Sequence, residues 1–159
     1  MRRTPKRLVR PAVLACGLIL VLSTVFPTVA SARPVPRITN PTPTARVLVN
    51  RYLTLLKNKD DAGLMRFLAP GFQIERADGS GAGKGAYLAN LPTIDSFAVS
   101  GLTATNSNGA IVARYTSVVE GVVNGKPYTP GPAPRLSVFT WNGTRWQLAA
   151  HANFNPLTG

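Results

Sequence analysis

Residues 110–123 read AIVARYTSVVEGVV, and this stretch decides the fold. It is rich in β-branched residues and alternates with a period of two. Ala113, Tyr115, Ser117 and Val119 therefore share one face of a strand, and Val112 and Val118 share the other. One such strand cannot bury its own inner face, so its neighbours must pair with it. Downstream, Pro134 to Trp141 and Arg145 to Phe154 have the same β-rich character, and upstream so does Ser96 to Asn106. Asn124-Gly125 and Asn142-Gly143 are strong hairpin signals, because both dipeptides tolerate the positive φ of tight antiparallel turns. Pro127, Pro130, Pro132 and Pro134 make the intervening segment irregular, as a loop or a bulged start to the next strand.

Further upstream the period changes. Phe72 to Arg76 alternates as a short strand, Ala77 to Lys84 is a glycine-rich turn, and Gly85 to Asn90 has room for one or two helical turns. Before these, Leu48, Val49, Tyr52, Leu53, Leu55 and Leu56 recur at helical spacing, with Thr42 as the expected cap and Pro43 at the first position. Asp60 and Asp61 suit a second helix start, Leu64, Phe67 and Leu68 form its stripe, and Pro70-Gly71 should stop it. Helices first and a curling antiparallel sheet afterwards predict an α+β domain with helices over the concave face. There are no internal repeats.

The N-terminus has a different logic. Arg2, Arg3, Lys6, Arg7 and Arg10 precede an uncharged apolar block from Ala12 to Phe26, and Ala30-Ser31-Ala32 offers the small side chains of a cleavage site. About fifteen apolar residues fall short of the roughly twenty that span a bilayer. Residues 1–32 are thus expected to be an export signal, 33–43 a mobile proline-rich linker, and 44–159 the domain. The location that follows is secreted or in the cell envelope, with a membrane role only if the signal is retained. Cys16 lies inside the apolar block rather than after it, unlike a lipid-attachment cysteine, and cleavage would leave no thiol.

The signal takes five of the 18 Lys+Arg and none of the 6 Asp+Glu, leaving 13 against 6, a net of +7 over 127 residues. These basic residues are scattered and not interleaved with aromatics, which argues against nucleic acid as a partner and leaves anionic surfaces or ligands. Residues 79–85 fail as a phosphate loop, because Asp78 stands where the first glycine belongs and Gly85 replaces the magnesium-binding hydroxyl. One histidine and six dispersed acids do not make a metal site, and no cofactor motif is present.

Arg51-Tyr52-Leu53, Lys59-Asp60-Asp61, Leu64 through Phe72, residues 83–88 (GKGAYL) and residues 143–151 (GTRWQLAAH) together resemble the nuclear transport factor 2-like superfamily, which includes ketosteroid isomerases and SnoaL-like cyclases. The likeness covers nearly all of residues 44–156. It implies a cone-shaped half-barrel with a deep pocket at its open end, suited to a small ligand, and dimers through the outer sheet face, here Val112, Val118, Trp146 and Leu148. Fold does not carry activity with it, so function rests on the site.

Matching the last strand to the isomerase pattern turns Gln147, Ala149, His151 and Asn153 inward. It does the same for Phe72, Ile74 and Arg76, for Ala113, Tyr115, Ser117 and Val119, and for Ser137 and Phe139. Tyr52 enters from the first helix at the position of the isomerases' oxyanion donor. Arg76, however, stands at the catalytic aspartate's position and Ser137 at the second acid's. A cation cannot accept the proton, so steroid isomerisation is rejected. The resemblance therefore points to Tyr52, Ile74, Arg76, Tyr115, Ser117, Ser137, His151 and Asn153 as ligand-binding residues. Arg76 can clamp a carboxylate or phosphate.

Three functions stay open at this point. The first is an exported domain that binds a small apolar or anionic ligand and lacks a complete catalytic set. The second is a SnoaL-like cyclase, dehydratase or isomerase using His151 with Tyr52 as donor. The third is an envelope interaction module, or homodimer, using the outer sheet face.

Overall fold

The structure, a computed structural model, describes residues 33–123, 125–128 and 131–154. The expected export signal and Asn124 of the first hairpin signal lie outside the described residues.

Helix α1 (Pro41–Lys57) starts earlier than expected from Thr42 and Pro43. Asn40 is the cap, its side chain accepting from the Thr42 backbone N–H at 3.2 Å. Asparagine caps as well as threonine does, and both prolines fall in the first turn, where no intrahelical N–H is needed. Ala45, Leu48, Val49, Tyr52, Leu53 and Leu56 form its buried stripe. Helix α2 (Asp61–Phe67) is capped by Asp60, which accepts from the Gly63 N–H at 2.8 Å. Strand β1 (Leu68–Glu75) follows without a break. The expected stop at Pro70-Gly71 is instead an irregularity inside this strand, where the pairing register shifts between Leu68 and Gln73. A bulge is where a proline's missing donor costs least.

Strand β2 (Gly81–Gly83) pairs with β1, and helix α3 (Lys84–Ala89) comes next. Lys84 Nζ donates to the Met65 and Leu68 carbonyls, both at 2.7 Å, and so ties α3 to the C-terminal end of α2. Strands β3 (Thr93–Ser107) and β4 (Ala110–Val123) form a long hairpin. Its turn, Asn108-Gly109, has φ of 47° and 77°, the two positive values of a type I′ turn, and was not among the expected hairpins. The segment expected to be irregular contributes β5 (Lys126–Tyr128), which pairs with the end of β4. Strands β6 (Ala133–Trp141) and β7 (Trp146–Asn153) follow. They are joined by a turn in which Asn142 Oδ1 accepts from the Thr144 and Arg145 backbone N–H groups at 3.0 and 2.9 Å.

The strand order is β2-β1-β7-β6-β4-β3, a curved sheet that does not close, with β5 beside β4. One pairing departs from the expected antiparallel pattern, since β1 and β7 run parallel. A parallel pair needs a long crossover, and here residues 76–145 supply it. Helix α1 packs chiefly on β3 and also touches β4, on the concave side. Gly121 allows the close approach of β3 to β4. A Cβ there would sit 2.0 Å from the Thr93 carbonyl oxygen.

Strand β7 corrects the expected alternation. Leu148 pairs with Phe139 and Ala150 with Val138, so Ala149 is an extra residue and the side-chain parity flips across it. Leu148 is fully buried in the core, and Trp146 packs against it, so neither belongs to the outer face. Gln147 does not share the His151 face: its Nε2 donates to the Arg66 carbonyl at 2.9 Å.

The segment expected to be a linker is hydrogen-bonded to the turn between β6 and β7. Arg33 N–H donates to the Gly143 carbonyl at 2.8 Å and Trp141 Nε1 to the Arg33 carbonyl at 3.0 Å. Ile38 packs on the core, and its carbonyl accepts from Asn106 Nδ2 at 3.1 Å.

Candidate functional site

The sheet register assembles the site in rungs. Ile74 pairs with His151, His151 with Ser137, and Ser137 with Ala113, one residue from each of β1, β7, β6 and β4. Two residues further toward the open end, Asn153 pairs with Arg135 and Arg135 with Tyr115. Arg76 follows directly on the pair Glu75–Ala152, which brings it alongside this second rung. Because side chains two apart share a face, both rungs point to the concave side.

The concave side is hollow. An open cavity of about 510 Å³ is lined by Leu53 and Leu56 of α1, Ile74, Ile94, Val119 and their neighbours. Tyr52, Arg76, Tyr115, Ser117, His151 and Asn153 are among the residues that line it. Ser137 does not reach the wall. It is fully buried behind it, 3.0 Å from His151 Nδ1 and 3.1 Å from the Tyr115 hydroxyl.

Tyr87, Arg135 and Asp78 are among the wall residues that were not foreseen. Tyr87 of α3 is buried, and its hydroxyl lies 2.6 Å from that of Tyr52. Arg135 is only 5 % exposed, with Nη1 donating to the Pro134 and Phe154 carbonyls at 2.9 and 3.3 Å. Asp78 stands at the rim, where it accepts from the backbone N–H and hydroxyl of Ser80 at 2.9 and 2.7 Å. Arg135 was legible by parity, since it shares a face with Ser137 and Phe139. Its place at the end of the proline-rich segment hid it.

Burial sets the protonation states. It raises Tyr52 well above the usual phenol range, reinforced by Tyr87, and pushes Tyr87 and Tyr115 up to about 12. His151 is pushed down to about 4 by burial and then by the Arg135 charge, with Asn153 opposing. The Ser80 hydrogen bonds hold Asp78 below its ordinary value. At neutral pH the cavity therefore presents protonated tyrosines and a neutral imidazole. The ring of Tyr52 meets that of His151 edge-on at 5.2 Å between centroids. Glu75 is exposed, and exposed Glu120 accepts from the Ser96 hydroxyl at 2.8 Å, so neither can orient His151. Among the described residues no group of three or more His, Cys, Asp and Glu side chains could hold a metal ion.

No family model and no curated protein matches the sequence. Solved structures do. A nuclear transport factor 2-like protein from Cytophaga hutchinsonii superposes with a TM-score of 0.68 at 14% identity, over 74% of this chain and 99% of its own. A nuclear transport factor 2-like protein of unknown function in nutrient uptake, from Rhodospirillum rubrum, gives 0.62 at 18%, over 70% of this chain and 98% of its own. One of unknown function from Pseudomonas putida gives 0.57 at 16%, over 74% and 87%. The chain has the nuclear transport factor 2-like fold.

Within that fold the cavity lining mixes polar side chains from the sheet with Tyr52, Leu53 and Leu56 of α1. Arg76, set by the resemblance at the proton acceptor's place in the isomerases, is a cavity-lining cation here.

Proposed function

We propose that this protein binds a small, largely apolar molecule in the hollow of its nuclear transport factor 2-like cone, as an exported binding domain. The cavity of about 510 Å³ carries this reading. Its size and its mix of apolar walls with a few converging polar groups are those of a small-molecule site. The basic and apolar order of residues 2–26 supports export.

A second reading, SnoaL-like catalysis, draws on one observation: His151 and Tyr52 line the same hollow. An imidazole held near 4 is a weak base at neutral pH, which favours binding over proton abstraction. Tyr52→Phe and His151→Ala should then change ligand affinity without abolishing a turnover.

Native mass spectrometry of the purified protein tests the binding reading. A co-purified small molecule, lost in Leu56→Trp where the indole fills the hollow, is the expected result. A ligand-free protein that also fails to take up 1-octanol would end it.

A further inference from the structure

The end of the cone opposite the mouth has a character of its own. From the Ser137–His151 rung, β4 and β6 run away from the open end to the pair Ala110–Thr140, so the turns at Asn108-Gly109 and Asn142-Gly143 lie together there. The Trp141 backbone N–H donates to the Gly109 carbonyl at 2.9 Å and ties one turn to the other. Residues 33–40 cross this end as a strap. Arg33 is bonded to the β6–β7 turn on both sides of its backbone, and the Ile38 carbonyl is bonded to Asn106. Between them Val35 lies on the β3–β4 turn, a methyl group 3.1 Å from where a Cβ on Gly109 would stand. Pro34 and Pro36 restrict the backbone of the strap, which lowers the entropy lost in docking it.

Charge is segregated along the same axis. Arg33 and Arg37 on the strap and Arg145 beside the Asn142-Gly143 turn are all exposed. Arg46, also exposed, flanks them one turn beyond Thr42, whose hydroxyl accepts from the Ala104 N–H of β3 at 3.2 Å. Dispersed in the sequence, these arginines are gathered by the fold. The six acids of the chain stand toward the mouth instead. Asp60 and Asp61 follow the end of α1 that carries cavity-lining Leu56, Glu75 pairs with Ala152, and Asp78 is on the rim. Asp95 and Glu120 adjoin Ile94 and Gly121 of the cavity wall.

The apolar groups at the cationic end are few. Val35 is 49 % exposed, and Trp141 and Trp146 are half-buried, their rings edge-on at 5.7 Å between centroids. One valine and parts of two indoles are too little for the core of a stable protein interface, which covers about 800 Å² on each partner. Indoles at a polar boundary, ringed by long cationic side chains, suit the headgroup region of a bilayer.

We infer that this end of the domain docks on an anionic lipid bilayer surface, with Arg33, Arg37 and Arg145 among the headgroup phosphates and Val35 and the tryptophan pair at the boundary. The docking does not involve the cavity, stands apart from the binding reading above, and leaves the mouth on the side away from the lipid. Cleavage after Ala32 would add one more positive charge here, the α-ammonium group of Arg33.

Both tryptophans of the chain lie at this end, so their emission reports on it directly. The purified protein, its N-terminus established by mass, is titrated with vesicles of phosphatidylglycerol and phosphatidylcholine and, in parallel, of phosphatidylcholine alone, each with brominated acyl chains. Saturable quenching by the anionic vesicles only, reversed by about 0.5 M salt, is the expected result. Arg33→Gln/Arg37→Gln/Arg145→Gln should weaken the partition by roughly a hundredfold. Lys57→Gln/Lys59→Gln/Arg114→Gln removes the same charge elsewhere and should change it little. All six side chains are exposed, so neither triple variant threatens the fold. If the signal is retained, vesicles bind through it as well, and salt-sensitive quenching lost in the first triple alone decides. No quenching by anionic vesicles, or equal losses in the two triples, would overturn the docking. A tryptophan response to duplex DNA and not to vesicles would overturn the choice of lipid.

Discussion

The Ser137 hydroxyl lies 3.0 Å from His151 Nδ1, and the two side chains come from adjacent strands whose backbones pair at that same rung. Tyr115 extends the contact, its hydroxyl 3.1 Å from Ser137. The one histidine of the chain is thus held by a buried network and also lines the cavity. Ser137→Ala removes the shared partner and leaves two buried polar groups short of a hydrogen bond. A loss of about 1–3 kcal/mol is expected, read as a lower urea midpoint with an unchanged m-value. An unchanged midpoint would mean that the network does not hold the ring.

Stability should depend on pH through His151. Its folded pKa of about 4 lies below the unfolded value of 6.5, so between these the unfolded chain binds the extra proton. The contribution is therefore complete above pH 6.5 and is lost as pH falls toward 4, by at most roughly 3 kcal/mol. Urea midpoints across pH 6.5 to 5, above the range in which carboxylates titrate, should fall for the native protein and stay flat for His151→Gln. A flat native profile would contradict the buried neutral imidazole.

Two glycines should respond in opposite directions. Gly121→Ala places a Cβ 2.0 Å from the Thr93 carbonyl oxygen, which forces β3 and β4 apart and should cost about 2 kcal/mol or more. Gly85→Ala lies within α3 with open space around its Cβ, and should stabilise by about 0.5–1 kcal/mol. Thermal melts of the two variants against the native chain decide it.

The parts of this fold that were legible in the sequence are those ruled by local periodicity. The α1 stripe from Leu48 to Leu56 and the shared face of Ala113, Tyr115, Ser117 and Val119 follow from spacing, the resemblance having turned that face inward, and β4 has the bounds expected of it. What was not legible depends on partners distant in the chain. The extra residue at Ala149 is defined only against β6, so simple alternation put Leu148 on the wrong face. The parallel pairing of β1 with β7 joins segments about seventy residues apart and has no local signature. Tyr87 lay in the short helix expected over Gly85 to Asn90, with no local sign of its partners, yet Phe72 packs on its ring at 5.3 Å and Tyr52 bonds its hydroxyl. Arg135 carried a usable signal in its parity with Ser137, obscured by the prolines before it. Asn108-Gly109 carried the same turn chemistry as the two dipeptides that were recognised.

The central claim is that the cone is hollow and receives an apolar molecule beside His151. Its most direct measurement is amide and imidazole NMR during titration with 1-octanol, comparing cavity residues with Val112 on the outer face of the sheet. The expected result is saturable shifts at His151, Tyr115 and Leu56 with Val112 unmoved. Shifts confined to the outer face, or none that saturate, would contradict it.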